Sequence, residues 1–260
     1  MTSHKPFVAA NFSAAARSYD GWADVQKRAA SDLLEALPAN CKPHRILDVG
    51  CGTGLLTRML ASAYPAAAIT GLDLAPAMVE ACRLQWPLDS GHRFVCADAE
   101  HYASDHLFDL IASNFAFQWF EDKNRAIAHL TRQFSNHGVF ALSVPVAGTL
   151  TELDSAHQSA FARPFAGLTY PDPETYISAT RHAGLQVVAS RVTPHVIKYP
   201  SALTALKSFK EIGAVFAGGK GRKPMSPAQI MRLTRTYEDL YRTGDTVPVT
   251  YQVLTLIASI

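Results

Sequence analysis

The run Asp48-Val49-Gly50-Cys51-Gly52-Thr53-Gly54 constrains this chain more than any other stretch. It closes His44–Gly50 (HRILDVG), which reads as a buried strand, and it opens a helix over Gly54–Tyr64. Glycines at such a junction let the backbone turn tightly and pass close to a ligand. The spacing is GxGxG, because Leu55 follows Gly54, and it differs from the GxGxxG of a dinucleotide site. Asp48 disagrees with a pyrophosphate as well, since phosphates favour a helix N-terminus free of acids. A tight strand-to-helix turn also uses glycine for its own sake, so the run needs support from the rest of the chain.

That support is the alternation that follows. Ala68–Leu74 (AITGLDL), His92–Asp98 (HRFVCAD), Phe108–Asn114 (FDLIASN) and Gly138–Pro145 (GVFALSVP) read as strands two to five. Helical stretches open near Pro76 and span Lys123–Ser135, which gives βαβ units and a mostly parallel α/β sheet. Upstream, one helix is predicted from about Phe12 to Leu37, with Phe12, Ala15, Tyr19, Ala23 and Gln26 on a single face. Residues 146–172 lack clear periodicity and read as a connection with some helix. Asp172-Pro173 starts a further helix that Gly184 stops, and Leu185–Val192 reads as a sixth strand. Helices over Ser201–Gly213 and Ser226–Tyr241, joined by Ala217–Pro224, precede a seventh strand, Val247–Ile260. The expected layout is one domain: a helical cap (1–40), a core (41–200), an inserted helical lid (201–244) and the last core strand (245–260).

Composition narrows the function classes. At 48% hydrophobic and 18% charged, the 260 residues exclude disorder and low-complexity assembly. A formal charge of +2 is too small for a nucleic-acid-binding domain. The four cysteines, Cys41, Cys51, Cys82 and Cys96, contain no CxxC pair, so no metal site is expected and the thiols read as reduced, in a cytoplasm. No apolar stretch approaches the roughly 18 residues of a membrane span, and no secretory signal is visible. The sequence leaves the oligomeric state open.

Acids and amides mark the carboxyl ends of successive strands, where open α/β sheets bind ligands. Asp73-Leu74 ends strand two, where a carboxylate accepts ribose hydroxyl protons; Asp98-Ala99 ends strand three beside an expected adenine edge; Asn114 ends strand four. S-adenosylmethionine, with a sulfonium, an ammonium and no phosphate, suits these groups together with Asp48. Taken singly, Asp73 reads equally as a helix cap, Asp98 as a loop acid and Asn114 as a turn former. Taken in order, the set resembles the class I S-adenosylmethionine-dependent methyltransferases. The resemblance implies a Rossmann-like sheet of seven strands with the last antiparallel. It also implies a cofactor set of Asp48, Gly50, Cys51, Gly52, Gly54, Asp73, Leu74, Met78, Asp98, Ala99 and Asn114, with S-adenosylhomocysteine as product.

A narrower resemblance spans nearly the whole chain. Phe12-Ser13-Ala14-Ala15-Ala16-Arg17-Ser18-Tyr19-Asp20, Ser113-Asn114-Phe115-Ala116-Phe117-Gln118-Trp119 and Gly148-Thr149-Leu150-Thr151-Glu152-Leu153 are similar to the malonyl-acyl-carrier-protein O-methyltransferases of biotin synthesis. The more specific matches are Ser208-Phe209-Lys210-Glu211-Ile212-Gly213-Ala214 and Pro248-Val249-Thr250-Tyr251. Trp22 and the 217–224 loop depart from that pattern. The family implies methylation of the free carboxylate of a malonyl thioester, carried by acyl carrier protein or coenzyme A. Such a carboxylate is already ionised near pH 7, so no general base is required, and the ten histidines form no catalytic cluster. Tyr19 and Lys210 are the expected catalytic residues; Phe115, Trp119, Lys207 and Tyr251 are expected to bind substrate. Lys220, Arg222 and Lys223 would greet an acidic carrier protein. The alternatives are a methyltransferase for another small carboxylic acid or metabolite, and a methyltransferase-like assembly factor. The intact Asp48, Gly50, Gly52, Asp73 and Asp98 weigh against the last.

Overall fold

In the computed structural model, the described residues are 4–87, 90–165, 169–212 and 225–260. The chain enters through three helices, α1 (Lys5–Ala15), α2 (Tyr19–Trp22) and α3 (Asp24–Glu35). The alternating part comprises β1 (Arg45–Val49), α4 (Leu55–Ala63), β2 (Ala68–Asp73), α5 (Pro76–Arg83), β3 (Arg93–Cys96), β4 (Phe108–Asn114), α6 (Lys123–Thr131) and β5 (Phe134–Pro145). A single 3-10 turn, Phe117–Trp119, follows β4. Then come α7 (Thr151–Phe161), α8 (Pro173–His182), β6 (Gln186–Tyr199), α9 (Ala202–Glu211), α10 (Pro227–Tyr241) and β7 (Val247–Ser259).

The strands form one sheet in the order β3-β2-β1-β4-β5-β7-β6. The first five run parallel, and β7 lies antiparallel between β5 and β6, as expected for the seventh strand. β1 is buried over four consecutive residues, which requires cover on both faces. Its side chains divide accordingly: Leu47 and Val49 join Ile127 and Leu130 of α6 and Tyr176 of α8, whereas Ile46 joins Leu33 of α3 and Leu60 of α4.

Beyond Pro145, β7 has lost β5 as a neighbour and continues with β6 alone as a two-stranded ribbon. Val247, Val249, Tyr251 and Val253 face one side of it and pack with Ala205 and Phe209 of α9, Leu233 and Tyr237 of α10, and Val25 and Ala29 of α3. The free edge of β7 is closed by the 146–152 loop. Val146 N–H donates to Gln252 O (2.8 Å), Leu150 N–H donates to Thr250 O (2.8 Å), and Glu152 accepts the Thr250 N–H (3.2 Å) and hydroxyl. The ribbon therefore stands over the carboxyl ends of the parallel strands with its backbone groups satisfied.

Three boundaries differ from the sequence reading. The expected helix from Phe12 to Leu37 is three helices beginning at Lys5, with Pro6 in the first turn, where its missing N–H costs nothing. Ser18 breaks the run by donating its hydroxyl to Ala15 O and Glu211 O, and the turn lets Asp20 reach the Thr53 hydroxyl (2.5 Å). β5 starts at Phe134 because Phe134 pairs with Phe108 ahead of a register shift. β6 runs on to Tyr199, through Pro194, because it is the sheet's edge strand and pairs on one side only.

Candidate active site

The glycine loop is held by its own backbone. Gly50, Gly52 and Gly54 have φ of +74°, +55° and +85°, a region that side chains rarely enter. A Cβ on Gly50 would fall 2.2 Å from the Ala116 Cβ, so the loop packs directly against the turn after β4. The N–H groups of Gly50 and Cys51 both donate to Leu72 O at 2.8 Å, and Gly52 N–H donates to Asp73 Oδ2 at 2.9 Å. Asp73 Oδ1 accepts the Ala75 N–H at 2.8 Å. Burial pushes the Asp73 carboxyl above its ordinary value, against the Ala75, Gly52 and Leu74 amides, which pull it down. Each oxygen still has acceptor capacity towards the cleft.

That cleft holds about 730 Å³ of space, counting its open mouth. Gly50, Asp73, Leu74, Asp98, Ala99 and Asn114 of the expected cofactor set line it. The other members stand behind. Asp48 is fully buried beneath the loop, where its Oδ2 accepts the Thr57 hydroxyl at 2.5 Å and its Oδ1 has no partner. Desolvation pushes its carboxyl up to about 7, with Thr57 opposing and Asp73 adding. Cys51 turns its thiol away, 4.0 Å from Cys82 Sγ, and Met78 is buried, neither lining the cleft. Gly52 and Gly54 shape the loop without lining the cleft.

α1 supplies residues that the sequence reading missed. Lys5, Val8, Ala9 and Phe12 close one wall, and Lys5 Nζ binds Asp98 Oδ2 at 2.6 Å as well as Glu100. Asp98 thus reaches the cleft already paired. Asn114 is pinned too: its amide donates to Gln26 O (3.1 Å) and its Oδ1 accepts the Ser143 hydroxyl (2.5 Å). No spacing signal in the first twelve residues announces α1 as a wall of the site.

A second cavity adjoins the cleft, and Phe12, Tyr19, Phe115 and Trp119 line both. Phe115 sits at φ +55°, a strained conformation for a bulky residue and one found at functional sites. Tyr170, Phe209 and Tyr251 complete the described aromatic lining, with Gln26 and Gln118 as its amides. Desolvation, then the Asp73 and Asp20 charges, raise the Tyr19 phenol far above its usual value; burial does the same for Tyr251. Both therefore remain O–H donors.

The two lysines are corrected. Lys210 is exposed on α9 and lines neither cavity, whereas its buried neighbour Phe209 lines the aromatic one. Lys207 is also exposed, with its ammonium 5.8 Å from the centre of the Trp22 ring. Buried neighbours Ala205, Ser208 and Phe209 take the inward face of the helix, leaving positions 207 and 210 outside. Lys220, Arg222 and Lys223, like the rest of the 217–224 loop, lie outside the described residues. Among the described lining residues of both cavities there is no histidine.

Comparisons with known proteins identify the family and the fold. The family model for a methyltransferase domain matches residues 47–142, which run from β1 into β5. A malonyl-[acyl-carrier protein] O-methyltransferase of Geobacter sulfurreducens is 34% identical over 251 residues, covering 94% of each chain. One from Acetivibrio thermocellus is 30% identical over 263 residues, covering 96% of this chain and 92% of its own. Among solved structures, a complex of the Haloferax volcanii Trm112 methyltransferase activator with its methyltransferase superposes with a TM-score of 0.60. It is 20% identical and covers 95% of this chain and 96% of that one, which establishes a shared fold.

Proposed function

The chain belongs to the malonyl-[acyl-carrier protein] O-methyltransferase family, and from that premise we propose that it methylates the free carboxylate of a malonyl thioester with S-adenosylmethionine. One observation carries the reading: a carboxylate-bearing cleft and a neutral aromatic cavity meet at four shared residues, Phe12, Tyr19, Phe115 and Trp119.

The cleft fits the cofactor by its chemistry. Asp73 offers two acceptor oxygens to a ribose, and Lys5, the one cation among the cleft's described lining residues, is already paired with Asp98 and Glu100, an arrangement unsuited to phosphates. The glycine loop presents only backbone beside it. Asp48 lies buried beneath the loop, where a cationic ligand would favour its ionised form against the desolvation that raises its carboxyl. When bound, S-adenosylmethionine supplies an electrophilic methyl: a carboxylate lone pair forms the O–CH3 bond, and the S–CH3 pair stays on sulfur.

The protein's own part is positioning and desolvation. Tyr19 and Tyr251 furnish hydroxyl donors, and the aromatic rings exclude water around the acceptor. No proton has to be removed, which agrees with a lining free of basic side chains among the described residues. Acyl carrier protein is the proposed carrier of the malonyl group, its arm entering beneath α9 and α10. Labelled S-adenosylmethionine offered with malonyl, succinyl and acetyl thioesters tests the reading. Malonyl should take label and acetyl none; label on the acetyl thioester would refute the carboxylate as acceptor.

A further inference from the structure

β7 carries Tyr251 into the aromatic cavity over a stretch where it has a strand on one side only. Its pairing with β5 ends at Pro145 and Val253, so another segment has to close that edge at residues 250–252. The 146–152 loop does this, and it grips the two neighbours of Tyr251. Gln252 N–H donates to Thr149 Oγ1 (3.0 Å), and Gln252 O accepts the Thr149 hydroxyl (3.1 Å) and the Val146 N–H (2.8 Å). Thr250 O accepts the Leu150 N–H (2.8 Å), while the Thr250 N–H (3.2 Å) and hydroxyl both donate to the Glu152 carboxylate. Successive residues of an antiparallel strand turn their backbone groups to alternate edges, so Tyr251 itself pairs with His195 of β6. The tyrosine is thus held from both edges of its strand.

Glu152 is the unusual member of this clasp. Leu150 and Val146 close the edge with backbone groups alone, whereas Glu152 brings a carboxylate to a place where it is 9% exposed. Burial first, then the neighbouring tyrosines and the Glu152 charge, raise the Tyr251 phenol, so the carboxylate stands near that residue. A buried charge is costly unless it is hydrogen-bonded, and here one residue supplies two charge-assisted bonds. The first turn of α7 favours an acid as well. The loop that delivers Glu152 is strained: Leu150 sits at φ +61°, and a Cβ on Gly148 (φ +91°) would meet Gln252 Cγ at 3.0 Å. Strain of this kind gathers at functional sites. From inside the cavity, the Tyr251 ring lies 6.3 Å from that of Phe115, itself at φ +55°.

Resting on the proposed function, we infer that Glu152 is a positioning residue for methyl transfer: through Thr250 it sets the depth at which Tyr251 presents its hydroxyl to the acceptor carboxylate. Glu152 lines neither cavity and acts only through the strand it holds. A small displacement of that hydroxyl leaves the substrate bound and misplaces the reacting oxygen, so the loss belongs to kcat.

A double-mutant cycle tests this. With the malonyl thioester of N-acetylcysteamine, Glu152→Ala should lower kcat about tenfold while KM rises no more than about threefold. Glu152→Gln, which keeps an acceptor for the Thr250 N–H, should return kcat to within about threefold of wild type. Affinity for S-adenosylhomocysteine, by calorimetry, should stay within about twofold in each variant, which also reports that it is folded. In the Tyr251→Phe background, where the hydroxyl is already gone, Glu152→Ala should lower kcat by less than about twofold more. Thr250→Val keeps the side chain's shape and removes half of the clasp; it carries the same cycle if Glu152→Ala does not fold. Equal losses in the two backgrounds would make the clasp a purely structural tie and overturn the inference alone. Wild-type kcat in Tyr251→Phe, or in both clasp variants, would do the same. A wild type that transfers no methyl to malonyl would overturn the proposed function, and this inference with it.

Discussion

The cofactor cleft and the aromatic cavity share a border but are assembled by opposite means. The cleft's polar wall comes from the carboxyl ends of adjacent parallel strands: Gly50 after β1, Asp73 at the end of β2, Asp98 after β3 and Asn114 at the end of β4. Each lies within a short, recognisable strand-to-loop step. The aromatic cavity instead joins Phe12 and Gln26 to Tyr170, Phe209 and Tyr251, residues that nothing in the local sequence ties to them. They meet because the β6–β7 ribbon outruns β5 and α9 packs under it. The first site is backbone and carboxylate, the second ring and amide. A loop that one Cβ would block stands beside a cavity lined by rings and amides.

The largest expected effect breaks the cleft. A Cβ at Gly50 must push the Ala116 turn aside and occupy a positive φ. Gly50→Ala should cost roughly 2–4 kcal/mol of stability and strip cofactor affinity, measured by denaturant unfolding and calorimetry. Gly52→Ala, with nothing within 4 Å of its Cβ, should cost only the backbone term, about 1–2 kcal/mol. Equal losses for the two would show that close packing against Ala116 is unimportant.

A smaller effect comes from Asp48, whose carboxyl burial pushes up to about 7 from 3.8. With the folded value raised, the folded protein binds the proton more tightly than the unfolded chain. Its stabilising share is therefore full below about pH 3.8 and is lost as pH rises towards about 7. Asp48→Asn keeps an acceptor for Thr57 and should remove this loss, leaving the cofactor-free protein roughly 1–3 kcal/mol more stable than wild type at pH 8. Thermal unfolding across that range checks it. A variant with the wild-type pH profile would mean that Asp48 is not the group responsible.

The smallest effect sharpens the contrast from the other side. Because Lys210 lines neither cavity, Lys210→Met should leave kcat/KM for a short malonyl thioester within about twofold, as for most surface changes. A tenfold loss would return that lysine to the reacting pocket.

The same contrast explains what was legible in the sequence. The alternation of strands and helices, the glycine loop and Asp73 could be read because each is a local signal: a period, a turn chemistry, a carboxylate at a strand end. Asp48 is legible as part of the loop, but its direction is not, since that depends on Thr57 in the first turn of α4. Phe115, Trp119 and Tyr251 came from family likeness, and they do line the aromatic cavity. Lys210 came from the same likeness and does not, because helix phase on α9 gives the inward face to Phe209. Lys5 had no local signal at all. Its role depends on α1 lying across Asp98 and Glu100, residues more than ninety positions away.

The central claim is that the carboxylate oxygen, with no proton removed, is the methyl acceptor. A malonyl thioester also has an acidic methylene, so product identity is the direct test. Methylation there needs a base, and the described lining of the aromatic cavity has none. Mass spectrometry of the product from malonyl-acyl carrier protein, before and after mild alkaline treatment, distinguishes the two. The account predicts a methyl ester that alkali cleaves to methanol; a base-stable methyl on the carbon between the carbonyls would contradict it.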